Sequence, residues 1–190
     1  MVAAYSGDIQ RVVAGTSAAT FIACVGAPLE FTAGYTFNDG VTFSGAGTIQ
    51  LSNNTDTHFT GGTLNNSGNI LLNTTGNLVR LFIDGATTLT GGGTITLFGG
   101  GNAQLTGGGV LTNIDNTIQG FGNIGANALQ FVNQTGGIFN ANVTGQVLYF
   151  DPSGNGFDNQ GLLEATYGGI MQLSGNAGGG FTNLGTILAD

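Results

Sequence analysis

The sequence of 190 residues has very few basic side chains, a single cysteine and no tryptophan. Lysine and arginine together number 2, against 10 aspartates and glutamates, so the formal net charge is −8. Two cations cannot neutralise a row of phosphates or an anionic lipid surface, which disfavours nucleic-acid binding and membrane attraction. One cysteine, Cys24, excludes an intrachain disulfide. No stretch is long and apolar enough to cross a bilayer as a helix.

Sequence that favours helix is also scarce. Glycine numbers 37, and after residue 34 no stretch keeps a 3.6-residue apolar period without several glycines. The hydrophobic fraction of 41%, with regularly spaced Ile, Leu and Phe, nevertheless argues against a disordered low-complexity chain. We therefore expect an almost entirely β protein with a packed core.

What the sequence does contain is a repeated unit of seven residues, best seen at residues 181–187. Further copies begin at Phe157, Phe131, Leu111, Leu89, Leu64 and Phe43. The seven starts are on average 23 residues apart. Repetition at this length is typical of a solenoid, in which each structural unit stacks on the next.

The pattern inside the unit indicates strands. Its first and last positions are apolar, and the apolar residue often recurs two positions later, as in Ile70/Leu72 and Ile95/Leu97. A glycine, for example Gly68 in the unit from Leu64, stands before the closing apolar residue, where it permits a sharp bend. We predict a parallel β-solenoid of about seven coils.

Asparagine occupies the third position of five units: Asn66, Asn113, Asn133, Asn159 and Asn183. The other two units have Gly45 and Gly91 there. In parallel coils about 4.8 Å apart, each side-chain amide can bond to the amide of the next coil. We predict that these asparagines form a structural ladder at a corner of the solenoid rather than a ligand site.

Two segments fall outside the regular repeat. Residues 1–34 do not fit it, and we expect a separate, irregular segment of short strands that caps the first coil or contacts a neighbouring subunit, with Cys24 as a small buried side chain. A lipoprotein signal ending at Cys24 is a weaker alternative. The solenoid repeats are assigned to residues 35–190.

The last repeat strand is followed by Asp190 alone. Solenoids usually need terminal caps, so we expect either flanking repeats of a longer chain or contact with another subunit. The residues expected at such an inter-subunit contact are Thr186, Ile187, Leu188 and Ala189.

No catalytic, metal or cofactor set can be assembled from the sequence. His58, the one histidine, is interpreted as a solvated turn residue, and the acidic residues are scattered singly. A carboxylate pair that includes Asp158 and a residue of an adjacent coil is the remaining route to glycosidic cleavage. The glycine-rich residues 120–125 lack the lysine and the following helix of a phosphate loop. We expect no enzyme activity.

Residues 159–165, 168–173 and 181–189 resemble repeats of large bacterial surface proteins, the filamentous-haemagglutinin-like and autotransporter-type β-solenoid adhesins. The resemblance covers about residues 36–190. It implies a right-handed parallel β-helix that is exported and displayed outside the cell, with no catalytic residues to carry over.

The function expected from this sequence is mechanical. We expect an extracellular structural or adhesive module, either part of a stalk or a subunit that stacks end to end into a filament. The alternative is a solenoid that binds or cleaves carbohydrate, for which Tyr149 and Tyr167 are the suggestive aromatic pair. Surface glycans are the corresponding partners.

Overall fold

The computed structural model describes residues 1–4, 9–174 and 179–190. These residues contain 24 strands, β1 to β24, and no helix that could span a membrane. All pairings between the strands are parallel. The strands stack in three columns, A, B and C, and each turn of the chain visits the columns in that order.

Each column is a ladder of strands from successive coils. Column A consists of β1 (Val2–Ala4), β4 (Thr20–Ala23), β7 (Thr42–Ser44), β10 (Gly62–Asn66), β13 (Ala86–Thr90), β15 (Val110–Asn113), β17 (Gln130–Asn133), β20 (Phe157–Asn159) and β23 (Phe181–Asn183). Column B consists of β2 (Gln10–Val12), β5 (Leu29–Phe31), β8 (Thr48–Leu51), β11 (Asn69–Asn73), the first parts of β14 (Thr94–Thr106) and β16 (Thr117–Ile124), β18 (Ile138–Ala141), β21 (Leu162–Ala165) and β24 (Thr186–Ala189). Column C consists of β3 (Gly15–Ser17), β6 (Tyr35–Phe37), β9 (Thr55–Phe59), β12 (Val79–Ile83), the last parts of β14 and β16, β19 (Val147–Phe150) and β22 (Ile170–Leu173).

The strand registers place equivalent apolar side chains directly over one another. One inward position of column B is occupied, coil after coil, by Leu29, Ile49, Ile70, Ile95, Ile118, Phe139, Leu163 and Ile187. All of these except Ile187 are buried. Inward and outward positions alternate along each strand, as the period of two predicts. The chain is therefore an all-β parallel solenoid of about eight turns.

The core changes in character along the solenoid axis. Aliphatic side chains fill the middle coils, and an aromatic cluster lies towards each end. Near the C-terminal end, for example, the Phe150 and Phe157 rings stack at 5.5 Å between centroids. Such contacts add about 0.5–1.5 kcal/mol to the burial of the ring area.

The stacked strands extend further towards the N-terminus than the repeat read from the sequence. The structure has about eight turns rather than seven, because the described residues before Tyr35 also contribute strands to the columns. β2 pairs with β5, and β5 pairs with β8, so this segment stacks in register instead of forming an irregular region. Its strands of three or four residues are too short to show an apolar period. A cap or inter-subunit role for residues 1–34 stays a prediction.

The predicted alignment of the repeat units is offset at two places in column A. Phe43 lies beside Asn66 instead of Leu64, and Leu89 lies beside Asn113 instead of Leu111. The turn from column A to column B differs in length between coils, so equal sequence intervals do not always correspond to equal positions in the ladder. The column B pairs read from the sequence, such as Ile70/Leu72 and Ile95/Leu97, do lie in register with one another.

The glycines of the corner that follows β14 provide a test of the close approach between coils. Gly107 has φ +125°, and a Cβ built there lies 2.3 Å from the backbone oxygen of Ile83, so Gly107→Ala forces both strain and a clash. We expect a loss of at least about 2 kcal/mol in the free energy of unfolding, measured by urea titration. Gly108→Ala, next in the chain, meets no atom within 4 Å and is expected to change stability by less than about 1 kcal/mol. Equal losses in both variants would contradict this packing.

Candidate functional site: the asparagine column and the last coil

Four of the predicted ladder asparagines form a continuous chain of side-chain hydrogen bonds. They end the column A strands of successive coils and lie in register with one another. Nδ2 of Asn113 donates to Oδ1 of Asn133 at 3.0 Å, and Nδ2 of Asn133 donates to Oδ1 of Asn159 at 2.8 Å. The next step, from Asn159 to Asn183, measures 2.7 Å. The predicted amide ladder is confirmed for these residues.

The second N–H of each amide is used within its own corner. In Asn133 it donates to the backbone oxygen of Gly137 at 3.0 Å, and in Asn159 to that of Gly161 at 3.3 Å. Oδ1 of Asn113 also accepts from the backbone N–H of Asn116 at 3.0 Å. Asparagine suits this position because its short side chain carries both a donor and an acceptor towards backbone groups a few residues away.

Asn66 joins this network through a residue that the repeat pattern did not predict. In the next coil, the position equivalent to Asn66 is a glycine, so no side-chain amide lies directly over Asn66. Instead, Nδ2 of Asn66 donates to Oδ1 of Asn116 at 2.9 Å, and Asn116 lies in the corner after Asn113. Asn66, Asn113 and Asn116 are all fully buried. The glycine at the third position of one unit was the signal that another side chain must fill the gap.

The predicted contact residues Thr186–Ala189 form β24, whose register on β21 is complete. Ile187 continues the inward column above Leu163, yet Ile187 is 51% exposed whereas Leu163 is buried. Phe181 and Leu173 likewise continue buried positions of the preceding coil and are 42% and 40% exposed. An apolar hollow of about 460 Å³ lies between β22 and β24. The last coil thus presents core positions that nothing in the described residues covers.

Charged side chains on the outer surface form pairs between adjacent coils. Arg80 binds both carboxylate oxygens of Asp56, at 2.7 and 2.6 Å, and this hydrogen bond raises the pKa of Arg80. In the coils nearer the N-terminus, the hydrogen bond from the hydroxyl of Ser52 lowers the pKa of Glu30. Partial burial raises the pKa of Glu30, whereas the positive charge of Arg11 lowers it further. These pairs are partly exposed and contribute at most about 1 kcal/mol each.

The interpretation of His58 as a turn residue is wrong. His58 lies in β9, where its ring stacks on Phe82 at 4.6 Å and its Nδ1 lies 2.8 Å from Oδ2 of Asp84. Thr55 and Thr57, on the same strand, point inward and are buried. The alternation was missed because threonine is polar, although its branched Cβ suits a strand. In the described residues, no three His, Cys, Asp or Glu side chains converge on one point.

Other residues considered from the sequence are not brought together. Asp158 is exposed, and its neighbours in the ladder are Val132 and Thr182, so the hypothetical carboxylate pair is not formed there. Tyr149 lies on β19, and Tyr167 lies in the turn before β22. Cys24 is half-buried beside the turn to Ala27 rather than fully buried.

Asp151 is a buried carboxylic acid without a charged partner among the described residues. The residue is 5% exposed, and its Oδ1 has no hydrogen-bond partner there. Burial raises the pKa of the Asp151 carboxyl above its ordinary value of 3.8. The charged form is therefore less favourable in the folded chain than in the unfolded chain.

Comparisons of the chain with protein-family models, with curated proteins and with solved structures find no match.

Removal of one ladder amide should destabilise the solenoid. In Asn133→Ala, Asn113 and the backbone oxygen of Gly137 each lose a partner inside a closed corner. We expect a loss of about 3 kcal/mol or more in the free energy of unfolding, since each buried unpaired group costs about 1–3 kcal/mol. Asn155→Ala changes an exposed turn residue and should cost less than about 0.5 kcal/mol by the same urea titration. Similar losses in the two variants would mean that the amide column does not stabilise the fold.

Asp151→Asn should stabilise the protein in a pH-dependent way. Because the folded-state pKa is raised, the penalty is absent below the ordinary pKa of 3.8 and grows as the pH rises through the folded value. We expect a gain of about 1 kcal/mol at pH 7 and no difference from the parent near pH 3, measured by urea unfolding. Asp158→Asn removes the same charge from an exposed position, so it controls for net charge. A gain at pH 3 equal to that at pH 7 would contradict the assignment.

Proposed function

We propose that this protein is a structural module of a stalk or filament outside the cell, extended at its last coil by a further coil of the same kind. One observation carries the proposal: the core columns reach β23 and β24 in full register and are exposed there. Parallel strands have unpaired N–H and C=O groups at such an edge, which another strand can bind.

The chemistry of the exposed face favours another coil as the occupant. Phe181 and Ile187 are core side chains of the repeat, so a stacked coil would cover them with the same kind of side chain that covers Phe157 and Leu163. Asn183 ends the amide chain, and its Oδ1 already accepts from Asn159. Its Nδ2 bonds to the backbone oxygen of Gly185 and, as in the preceding coils, has a second N–H for the next asparagine.

An extracellular location and an adhesive role are parts of the same proposal. They are supported by the repeat pattern, which resembles those of bacterial surface solenoids, and by the composition of the chain. With 10 acidic residues, 2 basic residues and many Asn and Thr side chains, the chain carries little charge of either sign. We propose no catalytic role. The alternative, carbohydrate binding, is supported by a separate groove and is taken up below.

Self-association of the purified chain tests the stacking. We expect head-to-tail pairs and fibres in negative-stain microscopy, and an average mass that rises with concentration in sedimentation velocity. Ile187→Lys places a charge where stacking would bury it, so association should weaken at least tenfold. Thr88→Lys places the same charge on an exposed side position of β13 and should leave association unchanged.

A chain that stays monomeric at millimolar concentration would contradict the stacking of separate copies. The stalk form is then tested by a second copy of residues 167–189 fused after Asp190, so that the added chain continues through columns C, A and B in the order of the preceding coil. If the added coil stacks, the free energy of unfolding rises, because solenoid stability is roughly a sum over coils and their interfaces. A fusion no more stable than the parent chain would overturn the proposal.

A further inference from the structure

The outer surface of column C contains a groove that the stacking function does not use. It has a volume of about 350 Å³, within the range of ligand sites, and lies where β16 passes from column B to column C. The strands on either side make the groove. β14 has four more residues than β16 between Phe98 and Gln104, and these form a bulge. On the other side, the chain takes eight positions from Asn140 to Leu148, whereas β16 takes three.

The corner of β16 is therefore recessed between two ridges. The ridges are narrow because Gly100, Gly101 and Gly145 have no side chains. A Cβ added at any of these glycines would meet no atom within 4 Å. The recess is consequently an open channel across the corner rather than a closed cavity. Its shape suits an extended ligand that lies on the surface.

The polar side chains of the groove are uncharged. Asn123, Gln146 and Gln172 supply amides, and Tyr149 supplies an aromatic ring with a hydroxyl. Asn123, Tyr149 and Gln172 occupy one outward position in three successive coils. They form a row parallel to the solenoid axis with a spacing of about 4.8 Å.

This row indicates the class of ligand. An amide offers a donor and an acceptor side by side, which matches pairs of neighbouring hydroxyl groups, and an aromatic ring packs against the apolar face of a sugar ring. No lysine, arginine, aspartate or glutamate lines the groove, so neither a phosphate nor an acidic sugar finds a partner there. We propose that the groove binds a neutral oligosaccharide, which lies in the channel at the corner of β16.

An array of linear neutral and acidic oligosaccharides, followed by calorimetric titration of the bound sugars, tests the proposal. We expect neutral oligosaccharides to bind and acidic ones not to bind. Gly101→Phe fills the groove at a position that accepts a side chain, and binding should weaken at least tenfold. Gly108→Phe adds the same ring outside the groove, also without a clash, and binding should change less than twofold.

A second pair of variants examines the aromatic contact. Tyr149→Ala removes the ring from the groove and should weaken binding at least tenfold, whereas Tyr167→Ala removes a ring that is 80% exposed outside the groove and should not. Thermal unfolding of each variant distinguishes lost binding from lost folding. A blank array, binding of acidic sugars alone, or binding that survives both Gly101→Phe and Tyr149→Ala would overturn the proposal. Sedimentation of the same variants shows separately whether stacking is intact.

Discussion

The self-compatibility of each position is the constraint on which this structure depends. In a parallel stack, a side chain has its counterpart from the next coil only about 4.8 Å away, so a buried position must hold residues that pack against, or bond to, their own kind. Aliphatic and aromatic side chains meet this condition by contact. Asparagine meets it by hydrogen bonding, because its amide both donates and accepts. Charged side chains do not, and the ion pairs Arg11–Glu30 and Arg80–Asp56 are accordingly placed on the outside with opposite charges in adjacent coils.

Much of this architecture could be predicted from the sequence because the constraint repeats along the chain. The apolar residues of column B, such as Ile70 and Leu72, alternate with period two and recur in every coil, so both strand and stacking were readable. The amide ladder was readable for the same reason, since Asn133, Asn159 and Asn183 recur at the same place in the unit. A position that must hold a similar residue in every coil produces a periodic pattern in the sequence.

The rest could not be predicted because it depends on departures from the period. Asn116 completes the ladder at a coil where the repeated position is glycine, and nothing in its own unit marks it. Thr57 fills an inward position without being apolar. The groove at Asn123 arises from a difference in loop length between neighbouring coils, and a sequence shows loop lengths without showing which corners lie side by side.

The unequal corners have a consequence for how such a surface can change over time. Because extra residues at 99–103 and 142–146 leave the flanking strands in register, a coil can lengthen or shorten at a corner without altering the packing beneath it. The shape of the surface and the stacked core thus depend on different parts of each repeat. Insertions at single corners can therefore change the shape of the surface while the stacked strands beneath it stay the same.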